Sequence, residues 1–257
     1  MKEKLQLDLF WIKIIGSVGS VLMTLAWSGI IQNALLSFVL GFLGASSILL
    51  FGFAANEAFK LARSLNRYMI RLLILSAVCS FPYFILYRDL LTTFRFSNFL
   101  SGPFTVFYGI GCIYVYEKLR VKWMKRSSAV ALILFSVFLG VEYAPFCLIY
   151  LYIIHCYSEY EQMKYRDFNI ILFSAAVLAI CLSLYFFVPA ELKPELLKAA
   201  SMSGTGLGLF FIRNYSGEYQ KADSRLAVFF GKYFFYFFYP SVIIIFAVVK
   251  FFLVTGG

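Results

Sequence analysis

The feature that most constrains this chain is how its basic residues collect in short gaps between long apolar runs, every second gap being rich in Lys and Arg. Apolar runs of roughly 20 residues match the ~30 Å hydrocarbon thickness of a bilayer, and alternating positive gaps are the mark of loops retained on one side. Composition agrees, since 62% of the 257 residues are hydrophobic and only 14% are charged. That is too little polar surface for a water-solvated domain of this size. The net charge of +10 is spread over short loops rather than gathered on one face or tail. It reads as orientation signals facing anionic lipid, and no nucleic-acid partner is expected.

Nine apolar runs qualify as spans: 9–27, 30–58, 67–87, 103–117, 127–142, 144–158, 168–187, 196–213 and 228–253. The first has a basic start at Lys2 and Lys4 but carries Trp11 and Lys13, and Ala26-Trp27-Ser28 is no convincing cleavage site. It is expected to be retained as a span. Of the 23 basic residues, seventeen fall in the N-terminal tail and the even-side gaps: Lys60 to Arg71, Lys118 to Arg126, Lys164 with Arg166, and Arg213 to Lys232. Only Arg88, Arg95, Lys193 and Lys198 fall opposite. The bias predicts a cytosolic N-terminus.

The tightest stretch is 127–158, where 32 residues at the helical rise give ~48 Å for two crossings. A compact hairpin turning at Glu142-Tyr143-Ala144-Pro145, or a re-entrant pair, is expected there. The fold expected is all-α: a polytopic helical membrane bundle of about nine transmembrane helices, within a range of seven to nine. It forms a single integral membrane domain over 1–257, multi-pass in the plasma (inner) membrane. No polar gap is long enough to bury a core of its own. Cys79, Cys112, Cys147, Cys156 and Cys181 show no Cys-x-x-Cys spacing, so they read as small packing residues, and no metal is expected.

Ionisable groups inside apolar runs are costly, so any chemistry is sought there. Glu57 lies near the end of the second run, with Lys60 one turn on as a partner at i, i+3. Lys13 lies just over a turn inside the first run and can snorkel outward. Glu142 sits at the tip of the short hairpin. His155, the sole histidine, neighbours Cys156; the two fall short of a metal site and of a nucleophile-base pair, and read as packing. Ser201 to Gly208 is rich in Gly and Ser like a phosphate-cradling loop, but it follows no strand and reads as a close helix contact.

Gly231-Lys232-Tyr233-Phe234-Phe235-Tyr236-Phe237-Phe238-Tyr239-Pro240 is, physically, an interfacial aromatic anchor with a helix kink. It resembles the Lys-Tyr-Phe-Phe-Tyr-x-Phe-Tyr-Pro signature of the TraX family, membrane proteins that include pilin N-terminal acetylases. Ile12-Lys13-Ile14-Ile15, Glu57 with the basic run to Arg71, Phe104-Thr105, Glu142-Tyr143-Ala144 and Ile212 to Gly217 follow in the family's order. The resemblance covers nearly the whole chain, and the aromatic-proline motif is its specific part. Two departures stand out: Met23-Thr24 replaces the family's usual Asp-His pair, and Val242 stands where a histidine usually follows the proline.

The resemblance implies an acyltransferase that takes acetyl-CoA or another acyl-CoA as donor and modifies a pilin-like or secreted peptide, and the replaced histidines imply impaired or altered catalysis. With both histidines replaced, Glu57 or Glu142 would have to be the base, and Lys13, Arg71, Lys232 and Tyr236 would hold the anionic donor. A second reading keeps the fold without catalysis, as a scaffold or binding subunit beside a membrane partner protein. A small-solute transporter is disfavoured by sparse buried charge and the lack of repeated broken helices.

Overall fold

In a computed structural model of the chain, residues 7–91, 101–139, 143, 145–158, 162–217 and 225–255 are described, with backbone alone for 88–91, 225–233 and 254–255. All regular elements among them are helical: α1 Leu9–Trp27, α2 Ala34–Gly44, α3 Ser46–Leu61, α4 Leu65–Leu91, α5 Gly102–Lys118, α6 Lys122–Phe138, α7 Phe146–Cys156, α8 Met163–Tyr185, α9 Lys193–Ser201, α10 Gly208–Ile212 and α11 Arg225–Thr255. Five segments are long and apolar enough to cross a membrane: Leu9–Trp27, Ala34–Leu61, Leu65–Tyr87, Met163–Tyr185 and Phe234–Leu253. The chain is a membrane protein built from helices, with five such segments among the described residues against the nine expected.

The differences have local causes. The expected span 30–58 is met by Ala34–Leu61, which Ala45 divides into α2 and α3. The expected span 196–213 is α9, a 3-10 stretch Met202–Leu207 and α10, because Gly204, Gly206 and Gly208 interrupt it with residues of low helix propensity. In the tight hairpin, α6 begins five residues before the expected 127, and α7 has only 11 residues. At ~1.5 Å per residue α7 reaches about 16 Å, half the hydrocarbon thickness. Tyr143 takes φ +60° in that turn, and its carbonyl accepts from Cys147 N at 3.0 Å. Glu142 lies outside the described residues.

The chain divides into two compact units, one of residues 1–54 and 159–242, the other of 55–158 and 243–257. In the first, α1 packs on α2 and α3 through small residues: a Cβ on Gly44 would lie 2.5 Å from Met23 N, so only glycine permits that approach. Gly204 likewise sits directly against the Phe42 carbonyl, where any side chain would collide. The Ser37 hydroxyl donates to the Ala26 carbonyl at 2.6 Å across the same seam. The Gly/Ser-rich 201–208 stretch is therefore buried packing.

In the second unit Ala55, Ile110, Ile113 and Leu151 form a core lined by Phe59, Leu65, Tyr68, Met69 and Val106. Tyr108 on α5 donates to the Leu132 carbonyl of α6 at 2.8 Å, and Lys250 on α11 donates to the Leu86 carbonyl of α4 at 2.7 Å. Around both units the outward surface is apolar: Phe81 is 74% exposed, Phe138 78% and Phe187 85%. Water does not solvate such surfaces without penalty, and lipid does.

Candidate functional site

The polar constellation that the second unit assembles is centred on His155, in the last turn of α7. Its Nδ1 lies 2.9 Å from Asn56 Oδ1 on α3, and its Nε2 lies 2.8 Å from Glu117 Oε1 in the last turn of α5. A histidine in a helix's last turn is favoured by the negative end of the dipole. Phe59 and Tyr116 meet the imidazole edge-on, with ring centroids at 6.0 and 6.2 Å. Tyr116 in turn packs against Tyr152 at 5.0 Å, and the Lys125 ammonium sits 4.7 Å over the Tyr116 ring.

Burial grades along the triad. Asn56 is fully buried, the His155 side chain is 10% exposed and that of Glu117 is 50% exposed. The carboxylate is thus the outer member, the imidazole the middle one and the amide the innermost. Helix ends follow: the last turns of α3, α5 and α7 meet at one end of this unit. Basic residues follow from that end: Lys60 in the last turn of α3, Arg63 after it and Arg67 and Arg71 early in α4, then Lys118 ending α5, Arg120 after it and Lys122, Lys125 and Arg126 early in α6.

The hydrogen-bond geometry restricts protonation. A carboxylate only accepts, so His155 Nε2 carries a proton toward Glu117. With Asn56 Oδ1 facing the ring, Nδ1 carries one as well and the ring is an imidazolium. With the amide turned over, Nδ2 donates to a bare Nδ1 and the ring is neutral. Asn56 Nδ2 is otherwise buried without a partner, so turning the amide gives that donor a bond.

The residues that the sequence nominated fall elsewhere. Glu57 pairs with Lys60 at 3.0 Å and takes no part in the triad. Lys13 is partly buried in α1 beneath the Phe235 ring, 5.4 Å from its centroid. Tyr236 is partly buried on α11, four residues before Pro240, which has no N–H to donate to the Tyr236 carbonyl. Lys232 also lies on α11, with its side chain outside the described residues. Arg71 is exposed on α4. Lys13, Lys232 and Tyr236 belong to the first unit, Glu57 and Arg71 to the second.

Thr24 is buried in α1 and Val242 half-buried in α11. Asn56 and Glu117 were missed because they lie 99 and 38 residues from His155. The available signal was their common placement at ends of alternate apolar runs. Among the described residues no group of three His, Cys, Asp or Glu is placed to hold a metal.

A family model described as TraX protein matches residues 9–250. No curated protein and no solved structure matches the chain.

Proposed function

The chain belongs to the TraX family, and on that premise we propose that it is an acyl-CoA-dependent acyltransferase of the plasma (inner) membrane, with Glu117 and His155 performing the proton chemistry. The observation that carries this reading is the 2.8 Å contact of His155 Nε2 with Glu117 Oε1. It engages the sole histidine of the chain, Thr24 and Val242 standing at the family's usual histidine positions. The donor is acetyl-CoA or another acyl-CoA, and the acceptor is the amine of a secreted or pilin-like peptide.

In the reaction, the amine nitrogen attacks the thioester carbonyl and a C–N bond forms. The amine proton passes to the half-exposed Glu117 carboxylate, which His155 orients from behind through Nε2–H. Collapse of the tetrahedral intermediate breaks the C–S bond, and the departing thiolate takes the proton back as free coenzyme A thiol. A positioned base of this kind contributes roughly 10²–10⁴-fold. The cations of the 60–71 and 118–126 gaps belong to the same unit as the triad and suit a polyanionic donor. With the N-terminus cytosolic, those gaps face the compartment that holds acyl-CoA.

The test uses the full chain in lipid nanodiscs with acetyl-CoA and a peptide bearing a free N-terminal amine. Thiol release matched by an acetyl mass gain on the peptide supports the reading; neither signal contradicts it. The replaced histidines at 24 and 242 favour a second reading, a non-catalytic scaffold. It is supported by absent turnover together with a co-purifying membrane protein.

A further inference from the structure

Glu117 is half-exposed and belongs to the last turn of α5, where a helix frays because its final carbonyls lack intrahelical partners. A side chain there samples several rotamers unless its surroundings fix the turn. Of the five residues Tyr114 to Lys118, four are exposed and only Tyr116 is half-buried. Tyr116 is thus the anchor of the turn that carries Glu117.

Its seat is one face of α7. The Tyr116 ring meets the Tyr152 ring edge-on at 5.0 Å and the His155 imidazole edge-on at 6.2 Å between centroids, and Cys156 Sγ donates to its hydroxyl at 3.8 Å. Positions 152, 155 and 156 are related as i, i+3 and i+4, so they share a helix face. One side chain of α5 therefore fills a hole made by residues of α7, as a knob does between packed helices. From α6, the Lys125 ammonium sits 4.7 Å from the centroid of the same ring, a cation–π contact that brings a third helix to the seat.

The seat and the proton-handling contact share His155. Its ring is held at Nε2 by Glu117, at Nδ1 by Asn56 and edge-on by Phe59 and Tyr116. Consecutive residues of α5 thus reach one imidazole, Tyr116 through its ring and Glu117 through its carboxylate. A shift of α5 along α7 that unseats Tyr116 moves Glu117 with it.

We infer that Tyr116 is a positioning residue: its packing against Tyr152, His155 and Cys156 sets the register of α5 on α7 and so aims Glu117 at His155. The catalytic consequence rests on the acyltransferase reading, whereas the register does not. Tyr116 acts through Glu117 and His155, without touching substrate.

The experiment compares the full-length wild type with Tyr116→Leu, which empties the seat, and Tyr116→Phe, which keeps the ring and loses the hydroxyl. In nanodiscs with acetyl-CoA and a peptide amine, Tyr116→Leu is expected to lower kcat on the order of 10–100-fold, with KM for acetyl-CoA within about threefold of wild type. Tyr116→Phe is expected to recover most of that loss.

The second readout needs no turnover. The chain has one histidine, so magnetic resonance of isotopically labelled histidine ring nitrogens reports His155 alone. Glu117→Gln is expected to shift the Nε2 resonance in the wild-type background and to leave it in place in the Tyr116→Leu background, where the contact is already lost. Should Tyr116→Leu not fold, Tyr152→Leu opens the seat from α7 and is read the same way. Absent thiol release by the wild type contradicts the acyltransferase reading, and the resonance comparison still decides the register. Wild-type kcat in folded Tyr116→Leu, or an equal Nε2 response to Glu117→Gln in both backgrounds, overturns the inference.

Discussion

His155 Nδ1 lies 2.9 Å from Asn56 Oδ1, across 99 residues of chain and between α7 and α3. The contact matters because Asn56 is fully buried with its Nδ2 unpartnered. A buried donor without a bond costs roughly 1–3 kcal/mol, and the amide can offer only one of its two polar atoms to the imidazole. Orientation of the ring is thus tied to one side chain.

Replacing that side chain tests the tie. Asn56→Ala is expected to destabilise the fold by about 1–3 kcal/mol, since it leaves a buried imidazole nitrogen without its partner. It should also lower turnover. Thermal unfolding in detergent and the thiol-release assay measure the two effects.

Glu57 and Asn56 are adjacent but point about 100° apart on a helix, and only Asn56 meets His155. Glu57→Gln therefore removes a partly exposed pair with Lys60 that contributes at most about 1 kcal/mol. Its turnover is expected within about threefold of wild type, checked by the same thiol assay.

Close backbone approach predicts a contrast between two glycines. Gly204→Ala drives a Cβ into the Phe42 carbonyl and is expected to cost at least 1–3 kcal/mol, the usual range for overpacking. At Gly111 a Cβ would meet only Met69 Cε, at 3.9 Å. Gly111→Ala is expected to be neutral or stabilising by up to ~1 kcal/mol through helix propensity. Unfolding midpoints of the two variants decide it.

Orientation gives a further outcome. The last turns of α3 and α5 meet at His155, so reporters inserted after Arg63 and after Arg120 should report the same compartment, and the positive gaps predict the cytosol. Opposite signals from the two insertions would break the placement of the triad at one end of its unit.

Some of this was legible in the chain and some was not, for physical reasons. Helix α1 has the bounds of the expected span because its determinants are local: a mostly apolar run and Asp8, whose side chain caps its start by accepting from Trp11 N at 3.0 Å. Beside the division at Ala45, Gly44 lies close against Met23 and Gly19, an approach between helices that no local pattern reveals. At the site, the apolar run ending in Ala55-Asn56-Glu57 drew attention to the formal charge at 57. The neutral amide one residue earlier is the group that faces the histidine. His155 read as packing because its partners come from two other helices. Family resemblance was legible from the aromatic-proline motif, since that motif is contiguous.

The central claim is that Glu117 and His155 form the proton-handling pair. The direct measurement is coenzyme A thiol release from acetyl-CoA by the nanodisc-embedded chain, comparing wild type with His155→Gln and Glu117→Gln, each first shown to unfold at a temperature near that of the wild type. The account predicts turnover at least ~100-fold lower in both variants. Turnover equal to wild type in either folded variant would contradict it.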